Sequence, residues 1–217
     1  MTDNKSQLIF ISGIDTDAGK SYATGYIARQ LTAKGLKVIT QKFIQTGCEL
    51  YSEDIELHRK IMGVDALEED LNHTTAPVIF TYPASAQLAA RIDGREIDLN
   101  IVSNASDTLA ATHDIVLIEG AGGLMVPITD TYTTIDYVAE HQLPLGLVTN
   151  GKLGSINHTL LSLEAIQNRG IRLKWLIYNE HFDTDPVISA DTRGYIRRYV
   201  AKHFPETEII IVPSIEL

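Results

Sequence analysis

A chain of 217 residues with 44% hydrophobic and 21% charged side chains has the composition of an ordinary globular protein with room for a sizeable core. Its net charge of −10 repels polyanions and argues against a nucleic-acid surface. The single cysteine, Cys48, excludes an intrachain disulfide or a cysteine zinc cluster, and no apolar run approaches the ~20 residues of a membrane span. The polar start, MTDNKSQ, carries no signal-sequence pattern, so a cytoplasmic protein is expected.

The first apolar run, residues 8–12, predicts a strand. It stops at a loop bounded by Gly13 and Gly19, after which Lys20 and Ser21 open a helical pattern over residues 21–34. A strand, a glycine-bounded loop and a helix N-terminus in series make an anion cradle from backbone N–H groups and the helix dipole. In such a loop Lys20 reaches the β- and γ-phosphates and the Ser21 hydroxyl ligates Mg²⁺. The usual G-x-x-x-x-G-K-[ST] spacing would put glycine at Ile14; here Gly13 comes one residue early, giving a loop with one extra residue.

Residues 36–42 read as the second strand, ending in Gln41-Lys42. A helix is expected over 53–62, with Ser52 as N-cap and Gly63 past its end. Asp54, in its first turn, is a metal contact or simply compensates the helix dipole. Lys42 has a suggestive position at a strand tip and nothing more. The stretch 64–83 has no clear pattern and is expected to be irregular, and 85–92 and 99–112 read as helices.

Residues 115–119 form a buried-type strand ending on Glu119, followed by Gly120-Ala121-Gly122-Gly123. A carboxylate at a strand tip, in a chain with a phosphate loop, is the expected second Mg²⁺ contact. The glycines let a ligand approach the backbone. A short helix over 134–141, a strand over 144–149 and a strong helix over 155–168 come next. The turn between the last two, 150–158, is a second anion site or an ordinary tight turn capped by Ser155. A strand over 173–178 ends at Asn179, which suits a nucleobase edge or a turn. A helix over 186–203 and a strand over 208–212 close the pattern. Trp175 and Cys48 read as core or bystander, and His73, His113, His141, His158, His181 and His203 as solvated or core-satisfied. Strand–helix alternation of this kind predicts one α/β domain over 1–217: a mostly parallel central sheet flanked by helices, P-loop NTPase-like, with ligands beyond the carboxyl ends of the strands.

Four ordered segments carry a resemblance over nearly the whole chain: GIDTDAGKS at 13–21, KFIQTG at 42–47, EGAGGLMVPITD at 119–130 and KLGSINH at 152–158. In these the chain resembles the dethiobiotin synthetases, ATP-dependent cyclo-ligases of biotin synthesis. The resemblance implies that 7,8-diaminononanoate and CO₂ or bicarbonate form a carbamate. Phosphorylation by ATP then gives a carbamic–phosphoric anhydride, and ring closure releases phosphate. It also implies that Gly13, Thr16, Asp17, Ala18, Gly19, Lys20 and Ser21 form the nucleotide loop, and that Ser21, Asp54 and Glu119 hold Mg²⁺. Lys20 and Lys42 fall around the carbamate and the transferring phosphate, and Thr46 and Gly122 beside the substrate. Asn157 falls on the residue that binds the substrate carboxylate across a homodimer interface, while Asn179 and Pro213 fall beside the nucleotide base. Two segments depart from the family pattern. Phe43 stands where proline usually follows the lysine, and Pro83-Ala84-Ser85-Ala86-Gln87 replaces the usual serine–proline pair with following histidine. A partitioning-type regulatory ATPase is the alternative reading; its additional lysine near the start of the loop is missing from Gly13-Ile14-Asp15.

Overall fold

β1 (Gln7–Gly13) is apolar on both faces, with Ile9 and Ile11 in one hydrophobic cluster and Phe10 in another. A strand of that kind needs cover on both sides. The computed structural model, which describes residues 6–216, gives it that position. β1 lies inside a six-stranded parallel sheet ordered β2-β5-β1-β6-β7-β8. These strands are β2 (Val38–Lys42), β5 (Ile115–Gly123), β6 (Leu145–Asn150), β7 (Leu173–Asn179) and β8 (Glu208–Val212). Helices α1 (Lys20–Ala33) and α2 (Glu53–Met62) pack together on one face, where Ala23, Ile27 and Ala28 meet Ile9, Ile11 and Leu117. Across the sheet, α5 (Leu99–Ala110), α6 (Thr134–Glu140), α7 (Ser155–Asn168) and α8 (Pro186–His203) contribute Val102, Ile135, Leu163 and Ile196 to the second cluster.

The chain leaves β1 for β2 on one side and later returns to add β6, β7 and β8 on the other. Such a reversal opens a crevice at the carboxyl ends of the strands, where ligands of open α/β sheets bind.

Most boundaries fall within two residues of expectation. β5 is the exception: it runs to Gly123 rather than stopping at Glu119, because Gly13 pairs with Gly123 beyond a register shift in β1. The stretch expected to be irregular contains the one-turn α3 (Glu68–Leu71) and β4 (Ile79–Phe80). β4 pairs in parallel with β3 (Gln45–Thr46), a ladder too short for alternation to reveal. The next helix, α4 (Ala86–Ile92), follows the expected span. Ser52 caps α2 as expected, its Oγ accepting from the Ile55 N–H at 3.2 Å, and Gly63 ends the helix with φ 73°. Ser155 does not cap α7: Gly154 takes the N-cap position with φ 93°, and Ser155 Oγ is buried without a protein partner. Trp175 is buried, its Nε1 donating to Glu208 Oε2 at 3.2 Å.

Candidate active site

Parallel register sets Lys42, the last residue of β2, directly beside Glu119 of β5. The next residue locks the two tips together. Phe43 N–H donates to Glu119 C=O at 2.8 Å, and its buried ring packs against Phe10 (5.3 Å between centroids) and Tyr137 (4.7 Å). Proline has no N–H to give. Phe43 therefore makes a hydrogen bond that a proline at this position could not.

At the tip of β1 the loop turns into α1 through Gly19, whose φ is 84°. A Cβ there would also come within 2.1 Å of Asn179 Nδ2, so both backbone and space demand glycine. Lys20 Nζ donates to the carbonyls of Asp15 (3.0 Å) and Thr16 (2.8 Å), folding the ammonium onto its own loop. Burial lowers the Lys20 pKa to about 8. The Lys42 charge pushes the same way, while Glu119, Asp54 and Asp15 oppose it.

Between these tips lies a dense charge cluster. Ser21 Oγ sits 2.7 Å from Asp54 Oδ1 and 2.8 Å from Glu119 Oε1. Lys42 Nζ donates to Glu119 Oε1 at 2.9 Å and to Gly120 C=O at 3.3 Å, and it pairs with Asp54 Oδ2. Burial alone would pull the Lys42 pKa down; the adjacent Glu119 and Asp54 carboxylates outweigh it and raise the pKa. Burial alone would likewise raise Glu119, but the adjacent Lys42 charge and the hydrogen bonds from His58 and Lys42 outweigh it and hold the carboxyl well below the usual range. Three hard oxygen donors lie side by side, with Asp54 Oδ1 and Glu119 Oε1 each within hydrogen-bond distance of Ser21 Oγ. Among the described residues no group of three or more His, Cys, Asp and Glu side chains forms a metal cage. One hydroxyl and two carboxylates, with positions left for phosphate and water, fit Mg²⁺.

His58 is fully buried, and its Nε2 lies 2.8 Å from Glu119 Oε2. Local sequence does not single it out. The available signal was its spacing: four residues after Asp54, one helical turn along the same face of α2.

A cavity of about 510 Å³ opens over the cluster. Thr16, Asp17, Gly19, Lys20 and Ser21 line its loop side. Lys42, Thr46, Asp54, Glu119 and Gly122 line the strand-tip side, and Asn179 closes the β7 side with His181 and Phe182. Asn179 Oδ1 accepts from His181 N–H at 3.0 Å, while its Nδ2 turns toward Gly19. His181 is exposed, as expected, yet it belongs to the cavity wall and stacks on Tyr22. Gly13 and Ala18 lie under the loop rather than in the wall. Ala18 is buried, and a Cβ on Gly13 would touch it at 3.0 Å. Asn157, near the start of α7, and Pro213, just beyond β8, are both exposed and outside this cavity. Lys152, from the turn before α7, does reach the phosphate loop: its Nζ donates to Asp17 C=O at 3.3 Å and lies 4.0 Å from the centre of the Phe182 ring. Cys48 is buried and free. No helix among the described residues is long and apolar enough to cross a membrane.

Residues 7–217 match the family described as an AAA domain. The ATP-dependent dethiobiotin synthetase BioD 2 of Haemophilus ducreyi is 48% identical over 95% of this chain and 98% of its own length. The protein of the same name from Pasteurella multocida is 48% identical over 93% and 95%. The ATP-dependent dethiobiotin synthetase BioD of Chlorobaculum tepidum is 47% identical over 95% and 87%. Among solved structures, the signal recognition particle receptor FtsY from Elizabethkingia anophelis superposes with a TM-score of 0.50 at 15% identity. That match covers 97% of this chain and 60% of the receptor, and is a likeness of fold alone.

Proposed function

The chain belongs to the dethiobiotin synthetase family, and from that premise we propose that it carries out the ATP-dependent ring closure of 7,8-diaminononanoate with CO₂ to dethiobiotin. The observation that carries the reading is the convergence of Ser21, Asp54, Glu119 and Lys42 beneath a phosphate loop.

The proposed sequence has three steps. One amine of the diamine adds to CO₂, losing a proton and giving a carbamate. A carbamate oxygen attacks the γ-phosphorus of ATP, ADP leaves, and a carbamic–phosphoric anhydride remains. The second amine attacks the carbonyl carbon and loses a proton, phosphate leaves, and the cyclic urea closes.

Little in this chemistry needs a covalent contribution from the protein; positioning and charge neutralisation suffice. The Lys20 ammonium leaves the carbonyls of Asp15 and Thr16 for the β- and γ-phosphate oxygens. Lys42 lies at the strand tip where carbamate and γ-phosphate meet and keeps its proton, since Glu119 and Asp54 raise its pKa. Ser21, Asp54 and Glu119 would hold Mg²⁺. Its charge, when bound, offsets the negative charge on the transferring phosphoryl group. Backbone N–H groups of Thr16, Asp17, Ala18 and Gly19 cradle the phosphates, with Gly13 setting the start of the loop. Thr46 and Gly122 contact the diamine, Asn179 and Pro213 the base side of the nucleotide.

We further take 1–217 as one domain; a single six-stranded sheet running from β1 to β8 supports this. Asn157 is exposed and away from the cavity, as a residue serving a neighbouring site must be. On that ground we assign it the substrate carboxylate of a second subunit in a homodimer. A cytoplasmic setting suits the substrates. The experiment is product analysis with isotopically labelled bicarbonate. Label in a cyclic urea, with one ADP formed per ring, is the expected result. ADP formed with no label in an organic product would overturn the proposal.

A further inference from the structure

Behind Glu119 lies a buried polar chain that the reaction as described does not use. His58 and Thr40 are fully buried, and Arg59 nearly so. His58 Nε2 meets Glu119 Oε2 at 2.8 Å, and His58 Nδ1 meets Thr40 Oγ1 at 3.0 Å. Arg59 Nη1 donates to the same Thr40 Oγ1 at 2.9 Å. The guanidinium is itself fixed by Asp70, with Nε to Oδ2 and Nη2 to Oδ1, both 2.8 Å. Asp70 also accepts from Thr75 Oγ1 at 2.7 Å and Leu67 N–H at 2.8 Å.

Donor bookkeeping fixes the direction of the whole chain. Arginine has only N–H donors, so Thr40 Oγ1 accepts from it. The hydroxyl has one proton of its own, and the remaining partner of that oxygen is His58 Nδ1. Were Nδ1 also a donor, the Thr40 proton would be buried with no acceptor, which costs about 1–3 kcal/mol. Thr40 therefore donates to Nδ1, and His58 donates through Nε2 to Glu119.

We infer that His58 is a positioning residue that clamps Oε2 of Glu119, presenting Oε1 alone to the Mg²⁺ site, with Thr40, Arg59 and Asp70 holding the imidazole in the required tautomer. The geometry supports the division of labour. Glu119 Oε1 faces Ser21 and Lys42, while Oε2 faces His58. Mg²⁺ demands near-ideal octahedral geometry, so a carboxylate free to swing between one and two contacts binds it less well. The inference rests on the proposed Mg²⁺ role of Glu119 and adds what sets the orientation of that ligand.

The test is Mn²⁺ binding, followed by electron paramagnetic resonance in the presence of ADP, on wild type, His58→Leu, His58→Gln and Thr40→Val. Groups behind a metal ligand typically contribute about 10- to 100-fold in affinity. His58→Leu should weaken Mn²⁺ by about that factor. His58→Gln, whose amide can still donate to Oε2, should recover most of the loss, and Thr40→Val should fall between. ADP affinity without metal should change far less than Mn²⁺ affinity in all three, whereas general damage to the fold would lower both. Nitrogen NMR of wild-type His58 checks the tautomer without any substitution: Nε2 protonated and Nδ1 not is the expected pattern. Folded His58→Leu binding Mn²⁺ as wild type does, or a proton on Nδ1, would overturn the inference. A wild-type protein that binds no Mn²⁺ would instead overturn the metal role of Glu119 itself.

Discussion

At the tips of β2 and β5, Lys42 and Glu119 are buried and bonded to each other, and the buried His58 of α2 bonds Glu119 from behind. At the tip of β7 and the start of α7, His181 and Asn157 face solvent, and the Asn179 carbonyl bonds within its own turn. The first region is a set of charges fixed in place before any ligand arrives. Burying such charges costs several kcal/mol per ion and is tolerable only with close pairing. The second region is more open at its rim, where His181 and Asn157 are exposed, while Asn179 is buried behind them and held by its own turn. Pre-arranged charge belongs where phosphoryl transfer concentrates negative charge, because fixed dipoles and ions need no rearrangement at the transition state. An open rim belongs where a base or a neighbouring subunit has to dock. The contrast teaches that substitutions in the two regions should act on different kinetic constants.

The largest effects should come from the buried side. Lys20→Ala and Glu119→Gln should each lower kcat by about 10²-fold or more, the usual cost of removing one transition-state charge stabiliser. Glu119→Gln keeps the shape of the side chain, so circular dichroism should show a native fold. Near-normal turnover at saturating Mg²⁺ would break the contrast at its stronger end.

Asn157→Ala should act on binding instead. The expected result is a rise in the diamine KM that exceeds any rise in the ATP KM, with kcat changed least. A dimer in sedimentation is expected alongside. A monomer with full activity would remove Asn157 from any site across an interface.

At Asn179 a smaller, nucleotide-specific effect is expected. Wild type should prefer ATP over GTP, since a side-chain amide offers one donor and one acceptor, as the adenine edge does, whereas guanine presents two adjacent donors. Asn179→Asp replaces the Nδ2 donor with a second acceptor and should weaken ATP. An unchanged ratio of kcat/KM for ATP and GTP between the two proteins would show that the base is read elsewhere.

The smallest effect concerns stability. Burial works against the Asp70 carboxylate, but hydrogen bonds from Arg59 and Leu67 outweigh it and depress its pKa below the ordinary 3.8. A group depressed on folding contributes stability that is complete above its unfolded pKa and fades as pH falls toward its folded one. Asp70→Asn should therefore lower the denaturation midpoint most near pH 6 to 7, the gap closing below about pH 4. A gap that widened with acid would contradict the ion pair.

The buried region was legible one residue at a time. Lys42 and Glu119 each end an apolar run, and Gly19-Lys20-Ser21 declares its loop by spacing. That Lys42 and Glu119 touch depends on β5 entering the sheet between β1 and β2, which local sequence does not state. His58 and Thr40 were hidden for opposite reasons. His58 lies in a polar helix segment, EDIELHRKIM, which reads as solvated, and Thr40 inside a strand run, where threonine is ordinary. The β3–β4 ladder was illegible because two residues carry no period. The cap of α7 differed because Gly154 adopts the left-handed conformation and moves Ser155 into the helix.

The most direct measurement is steady-state ADP release with Mg²⁺, bicarbonate and the diamine, then with each omitted in turn. The account predicts that ADP forms at the full rate only with all three, because the fixed charges serve a carbamate that exists only when diamine and CO₂ are both present. ATP hydrolysis at an equal rate without the diamine would contradict it and would make the protein a nucleotide-hydrolysing switch.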